Sequence, residues 1–263
     1  MVSGKNRIVV FILSWILLNP KPWQGIKGFF SCEMKIPDTL PGETNEADYK
    51  ITIWRWVTVP DSGPWDEDYT RRGMLWGGLT HNLPDLPPSS RVLELGCGNG
   101  KTLFTMIQRE WDVTAIDFAS QAVTLSRGVT GGASRGHVMI ADARFPPFKN
   151  ESFDAVFAIH VIGHMNKPER DRIASSLLHI LKPGGILFFS DFSTDDFRFG
   201  KGHETEPATF RRGQGIITHY FTRDEVTDLF SKLTPVSIRM YQWPMRVLGS
   251  TLVRSEIQAT FTK

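Results

Sequence analysis

The stretch Leu93–Thr102, LELGCGNGKT, decides the fold. It lies between a short apolar run, RVLEL (91–95), and a segment with helical spacing, GKTLFTMIQRE (100–110). A buried strand that turns through glycines into a helix leaves backbone N–H groups facing the turn, where a ligand can seat. Two phosphate-binding patterns come close and fail. A P-loop needs a glycine five residues before the glycine of Gly100-Lys101-Thr102, and that position is Leu95. A dinucleotide fingerprint needs glycines at 96, 98 and 101, and position 101 is Lys101. What remains is Glu94-x-Gly96-x-Gly98-x-Gly100, an acid followed by alternating glycines.

Outward from the loop, strand and helix signals alternate. DVTAID (112–117) reads as a strand ending on Asp117, SQAVTLSRG (120–128) as a helix stopped by glycine, and GHVMIAD (136–142) as a strand ending on Asp142. FDAVFAIHVIGHM (153–165) begins as a fourth strand. The segment 166–185 predicts a helix, capped by Asn166 with Glu169 three residues on and Pro168 in the first turn, and ended by Pro183-Gly184-Gly185. ILFFSDF (186–192) is a fifth strand. TRDEVTDLFSKL (222–233) opens with the capping-box pair Thr222 and Glu225, and two strands follow near 235–241 and 251–261. Such alternation predicts an α/β fold, a parallel sheet with helices on both faces. Three acids then stand at three successive strand ends. Glu94 suits a cationic amino group, Asp117 a pair of ribose hydroxyls and Asp142 an adenine amino group, so the loop suits a nucleoside ligand without phosphate.

On these residues the chain resembles the class I S-adenosylmethionine-dependent methyltransferases. VLELGCGNG (92–100) looks like their first motif and VTAIDFASQAV (113–123) like their ribose-binding strand. ADARFPPFKNESFDAVF (141–157) is similar to their adenine and fourth-strand motifs, and LKPGGILFFSDF (181–192) to their fifth. The resemblance covers about residues 90–262. It implies a Rossmann-like, seven-stranded sheet of order 3-2-1-4-5-7-6 with the last strand antiparallel. It implies S-adenosylmethionine as cofactor, held by Glu94, Gly96, Cys97, Gly98, Gly100, Asp117, Phe118, Asp142, Ala143 and His160. Cys97 reads as a small loop residue rather than a nucleophile. The two cysteines of the chain make no disulfide framework, and no metal is expected.

The cofactor's methyl group is already activated, so the enzyme has to align an acceptor and exclude water. His160 and His164 after the fourth strand, and Asp191 after the fifth, are the candidate catalytic groups. WDEDYTRRGMLWGG (65–78) resembles the entry segment of small-molecule methyltransferases of the thiopurine and tellurite-resistance type, which makes Trp65, Tyr69 and Trp76 candidate pocket walls. FRFGKGHETEPATFRRGQGIITHYF (197–221) has no clear period and predicts a lid, with His203, Arg211 and His219 as substrate contacts. The NPPY-like tetrapeptide of nucleobase amino methyltransferases is replaced by IHVIGHM (159–165), so no DNA is expected. The net charge is +2, but residues 1–33 alone carry four basic groups against Glu33. The remainder is close to neutral and argues against a bulk grip on a phosphate backbone. A small-molecule acceptor is therefore the first expectation, and tRNA, other RNA or protein the alternative.

IVVFILSWILL (8–18) is too short to span a bilayer as a helix, which needs about 20 residues. Export would also part the protein from its cofactor. Residues 1–50 are expected as a disordered or non-native head, with Met34 an alternative start. The methyltransferase domain is expected over 51–263 with a helical cap at 60–88. A cytoplasmic location and no stable membrane span follow; the oligomeric state stays open.

Overall fold

A computed structural model describes residues 30–34, 51–55, 63–73, 83–132, 134–213 and 215–263. The chain divides into two units, Met1–Pro60 and Asp61–Lys263. In the first, strands β1 (Phe30–Met34) and β2 (Ile51–Arg55) pair antiparallel, Phe30 opposite Arg55 and Met34 opposite Ile51. The rest of the head expected over 1–50 lies outside the described residues, as do Trp76 and residues 74–82 of the expected cap.

The second unit opens with helix α1 (Gly63–Arg72). Strand β3 (Arg91–Leu95) follows, then α2 (Lys101–Gln108), β4 (Asp112–Asp117), α3 (Ser120–Thr130), β5 (Gly136–Ile140), β6 (Phe153–Ile159), α4 (Lys167–Ile180) and β7 (Leu181–Phe192). Three short strands come next, β8 (His203–Glu206), β9 (Thr209–Arg212) and β10 (Ile216–His219), then α5 (Arg223–Leu229), β11 (Thr234–Val247) and β12 (Ser250–Thr262). The main sheet has order β5-β4-β3-β6-β7-β12-β11. Numbered within the sheet alone this is the expected 3-2-1-4-5-7-6, with β12 antiparallel to β7 and to β11. Side chains alternate between the two faces with the period of a strand. Leu93, Leu95 and Ile116 pack with Ile173 and Leu177 of α4, Val226 of α5 and Phe230 on one face. Val92, Val113 and Ala115 pack with Leu103 and Met106 of α2 and Trp111 on the other. These strands are apolar throughout because both of their faces are covered.

Asn166 caps α4 as expected: its side chain accepts from the Glu169 N–H, and the Glu169 carboxylate accepts from the Asn166 N–H. The helix stops at Ile180, five residues before the expected end. Lys182 precedes a proline and is steered away from helical geometry, and Leu181 already pairs with Phe153. Pro183-Gly184-Gly185 forms a bulge inside β7 rather than a helix stop, with Gly184 at φ +75°. Helix α5 ends at Leu229, short of the expected 233. Thr222 accepts from the Glu225 N–H, but the Glu225 carboxylate turns to His219.

The segment 197–221 is not a structureless lid. Its strands β8, β9 and β10 form a separate antiparallel sheet, His203 opposite Arg211 and His219 opposite Thr209. Ala208, at φ +60°, turns the chain between β8 and β9. What holds this sheet down is buried and polar. Arg170 of α4, 2% exposed, donates to the Met165 carbonyl at 2.7 Å and to Glu206 Oε1 at 2.6 Å. His219, also 2% exposed, bridges Thr209 Oγ1 at 2.7 Å and Glu225 at 2.8–2.9 Å. Among the described residues no helix is long and apolar enough to cross a membrane.

Candidate active site

The carboxyl ends of β3, β4, β5 and β6 converge on the glycine loop, where ligands seat in open α/β sheets. Gly96, Gly98 and Gly100 all have positive φ, a region costly to residues with a Cβ. Their neighbours are close as well. A Cβ on Gly96 would stand 2.7 Å from Val161, and one on Gly98 would stand 2.7 Å from the Tyr69 hydroxyl of α1. The loop is tied to the body by Cys97 N–H donating to the Ile116 carbonyl and by Ser126 Oγ donating to the Gly98 carbonyl. Cys97 is 5% exposed, and burial with the charges of Asp117 and Glu94 pushes its thiol pKa up, so it packs rather than reacts.

Glu94 is 3% exposed, and its Oε2 has no hydrogen-bond partner among the described residues. Burial, then the Asp117 charge, raises its pKa to about 8, although the Thr102 hydroxyl bonds to it. Asp117 accepts from the Gly98 N–H at 3.0 Å and the Ala119 N–H at 2.9 Å, yet burial still lifts it to about 6. Nδ2 of buried Asn99 is likewise unpartnered among the described residues. The cradle thus lacks a cation beside Glu94 and an acceptor beside Asn99, and it can take donors at Asp117. An α-amino acid attached to a ribose offers all three, so these residues fit S-adenosylmethionine. Asp142 is held by Arg144, whose guanidinium reaches both of its oxygens at 2.6–3.1 Å. Phe118 is half-buried next to Asp117, while Ala143 is buried in the core beneath the sheet.

Helix α1 lies over the loop, and Asp66 pins it there. Asp66 Oδ1 accepts from the Gln121 N–H at 2.9 Å and the Ser120 hydroxyl at 3.3 Å. Helix α3 has no side-chain cap from its own N-cap residue, Ala119, so α1 supplies one from 55 residues away. This brings Trp65 and Tyr69 together, ring centroids 6.1 Å apart, and places Trp65 edge-on to His164 at 4.7 Å.

On the acceptor side, His160 follows β6 in the left-handed region, at φ +51°. Its ring stacks on Phe192 at 4.4 Å, with Glu256 Oε2 of β12 at 3.2 Å from Nε2 and Asp191 Oδ1 at 3.7 Å from Nδ1. Burial opposes its charge, but the two carboxylates outweigh burial and raise its pKa to about 9. Asp191 is 1% exposed and already engaged, accepting from the Gly163 and Phe192 N–H groups. It therefore holds the turn after β6 and is closed to solvent. His164 differs. Its Nδ1 lies 2.7 Å from the Ile217 carbonyl, which can only accept, so Nδ1 carries the hydrogen. Burial lowers its pKa, which leaves a neutral ring with a lone pair on Nε2.

Of the residues expected at the substrate, Trp65, Tyr69, His160 and His164 come together around the loop. His203 and Arg211 sit exposed on β8 and β9, and His219 is buried in the packing of β10 against α5. Glu256 and Asp66 escape sequence reading. Both lie on distant elements, and a lone acid on a strand or a short helix carries no motif.

Residues 92–185 match the family model described as a methyltransferase domain. The chain is 33% identical over 165 residues to the tRNA N(3)-cytidine methyltransferase METTL2 of Danio rerio, covering 58% of this chain and 47% of the relative. It is 32% identical over 132 residues to the 2-methyl-6-phytyl-1,4-hydroquinone methyltransferase of Synechocystis, covering 50% and 40%. The chain thus spans about half the length of the tRNA methyltransferases it matches. A solved S-adenosylmethionine-dependent methyltransferase of Methanosarcina mazei superposes with a TM-score of 0.56 at 22% identity, over 68% of this chain and 94% of its own. The strand order, the cradle of acids and glycines and the matched segment agree: this chain carries a class I S-adenosylmethionine-dependent methyltransferase domain.

Proposed function

We propose that the protein transfers a methyl group from S-adenosylmethionine to a ring nitrogen of a base in RNA, with a tRNA cytidine as the leading candidate. The cofactor supplies a methyl group on a sulfonium, ready for in-line displacement. The observation that carries the reading is the acceptor wall around His160, whose ring stands between Glu256 Oε2 at 3.2 Å and Asp191 Oδ1 at 3.7 Å. Both carboxylates favour its charged form, which has no lone pair for a proton, and each Asp191 oxygen already accepts a backbone N–H. Such a wall suits an acceptor that attacks with an existing lone pair and becomes cationic, as a pyridine-type ring nitrogen does. The nearby carboxylates of Asp191 and Glu256 favour the positive product. Similarity to tRNA N(3)-cytidine methyltransferases supports the same acceptor and turns the preference away from the small molecule expected from sequence.

A second reading retains a small phenolic or quinol acceptor. It draws on the similarity to a hydroquinone methyltransferase and on His164, whose free Nε2 lone pair fits a general base. One experiment separates the two. Labelled S-adenosylmethionine is offered with a tRNA pool, single-stranded RNA and quinols, and modified nucleosides are identified by mass spectrometry. Label in a ring-methylated cytidine supports the RNA reading; label only in quinols overturns it. His164→Gln adds a second readout. Loss of a general base lowers kcat by about 10²–10⁴-fold, whereas a base-free transfer loses only the packing against Trp65.

A further inference from the structure

Beyond β7 the chain bends back, and two arginines meet over one carboxylate. Arg198 Nε donates to Asp196 Oδ1 at 2.8 Å, and Arg254 Nε, from β12, donates to Asp196 Oδ2 at 2.6 Å. The Asp196 side chain is 0% exposed and also accepts from the Arg198 and Ser255 N–H groups. Both guanidiniums lie over the Phe192 ring, their carbons 3.9 Å and 4.5 Å from its centroid, and this is the ring on which His160 stacks. The arrangement therefore adjoins the acceptor wall, outside the carboxyl end of the sheet.

Cations outnumber the carboxylates around them. Asp196 bonds to both guanidiniums, Glu256 acts on Arg254 but is also held by His160, and Arg212, donating to the Tyr220 hydroxyl at 2.9 Å, brings a third positive charge close by. Both bonds to Asp196 use Nε, so the terminal nitrogens have no protein acceptor among the described residues, and Nη2 of Arg198 is buried without one. Arginine binds anions best through parallel N–H pairs, and Asp196, which lies between the two and meets only their Nε atoms, leaves those pairs unused. Burial and the Arg198 charge lower the pKa of Arg254, as such crowding requires. Beside this pair stands Trp243 of β11, 39% exposed, with the Arg254 guanidinium 5.7 Å from its ring. A cationic pair next to an exposed aromatic ring suits a single-stranded nucleotide, whose phosphate meets the arginines while its base stacks on the ring.

We propose that Arg198 and Arg254 form a seat for one phosphodiester group of the RNA, flanking the nucleotide presented to the cofactor. The proposal rests on the RNA reading above and adds a specific anchor to it. It also reconciles a nearly neutral domain with RNA binding, since a local pair does what bulk charge does not.

The test is fluorescence anisotropy of a short labelled oligoribonucleotide containing cytidine, titrated at several salt concentrations against wild type and Arg198→Gln. Binding should weaken about fivefold or more, and the slope of log affinity against log salt should shrink by about 0.7, the value for one lost phosphate contact on a single strand. The Kd for S-adenosylhomocysteine should stay unchanged. A variant that folds by thermal melt and keeps the wild-type affinity and slope overturns the seat. If Arg198→Gln does not fold, the wild type is titrated with oligonucleotides bearing one neutral methylphosphonate at successive positions. A single position beside the methylated base should lose the same affinity, and a flat scan overturns the seat. Inorganic phosphate that binds in an Arg198-dependent way, with an unchanged RNA salt slope, assigns the pair to a free phosphate and also overturns it. Absence of RNA binding by the wild type fails the RNA reading itself, and is distinct from RNA binding that ignores Arg198.

Discussion

Cofactor binding should release a proton, and the group that loses it should be Glu94. In the free protein this carboxyl is buried beside Asp117, and its pKa stands at about 8. A ligand ammonium at the unpartnered Oε2 needs the carboxylate form. Each pH unit below 8 then costs about 1.4 kcal/mol, a factor of ten in affinity. The group is half protonated at pH 8 and almost wholly protonated at pH 6, so between them the penalty grows by about 2.3 kcal/mol and the Kd should rise about fiftyfold. S-adenosylhomocysteine is the appropriate probe, because it keeps the ammonium and lacks the sulfonium. Isothermal calorimetry across pH 6–9 should show Kd falling with pH and levelling above 8. At pH 7 the apparent enthalpy should differ between phosphate and Tris by close to one proton's ionisation. Glu94→Gln should abolish the pH dependence and bind more weakly at pH 8. A wild-type Kd constant within about twofold from pH 6 to 8, with a buffer-independent enthalpy, refutes the reasoning, since a shift of that size moves the Kd far more than twofold.

The same raised pKa has a consequence for the free protein. The folded state binds more protons than the unfolded one, so Glu94 destabilises the fold progressively as pH rises from the usual carboxyl range to about 8. Urea melts at pH 8 without ligand should find Glu94→Gln more stable than wild type. His160 runs the other way: its raised pKa gives stability that is present below about pH 6.5 and lost as pH rises through 9, so His160→Gln should lose less stability than wild type between pH 7 and 9.5. A Cβ at Gly163 would stand 2.8–3.0 Å from the Asp191 carboxylate, so Gly163→Ala should cost about 1–3 kcal/mol in urea melts. Asp66→Ala should cost about 1 kcal/mol and raise hydrogen exchange at the Gln121 amide, because α3 loses its cap. His219→Leu removes one bond each from Thr209 and Glu225 and buries an apolar side chain against that carboxylate, and should cost roughly 1–3 kcal/mol; full stability with lost turnover would instead return His219 to the substrate.

What the sequence revealed was whatever is local. Glu94, the three glycines, Asp117 and Asp142 lie within fifty residues at or next to strand ends, so spacing alone showed that they gather at one end of the sheet; that Arg144 holds Asp142 it did not show. The capping residues Asn166 and Thr222 were legible for the same reason. The small sheet of β8–β10 was not, because four-residue strands show too little alternation to register. Its anchors, Arg170 with Glu206 and His219 with Glu225, are tertiary pairings without a spacing rule. His160 and His164 were legible as residues near the loop, but their chemistry was not. Nothing in IHVIGHM tells that His160 meets two carboxylates while His164 faces a carbonyl; Glu256, 96 positions away, makes the difference.

The position of β12 carries a consequence for how the molecule is assembled. β3, β4 and β5 pair in simple succession, so the cradle for the donor forms from neighbours along the chain. The acceptor wall waits for β12, which must insert between β7 and β11 before Glu256 reaches His160. Contacts between remote segments form slowly, because long loops must close first. Leu93, Leu95 and Ile116 share one core with Ile257, Ala259 and Phe261 of β12, so the donor cradle gains its support only when this last strand arrives. Refolding followed by bound S-adenosylhomocysteine and refolding followed by RNA capture should therefore keep the same pace, with the closing step written at the far end of the chain.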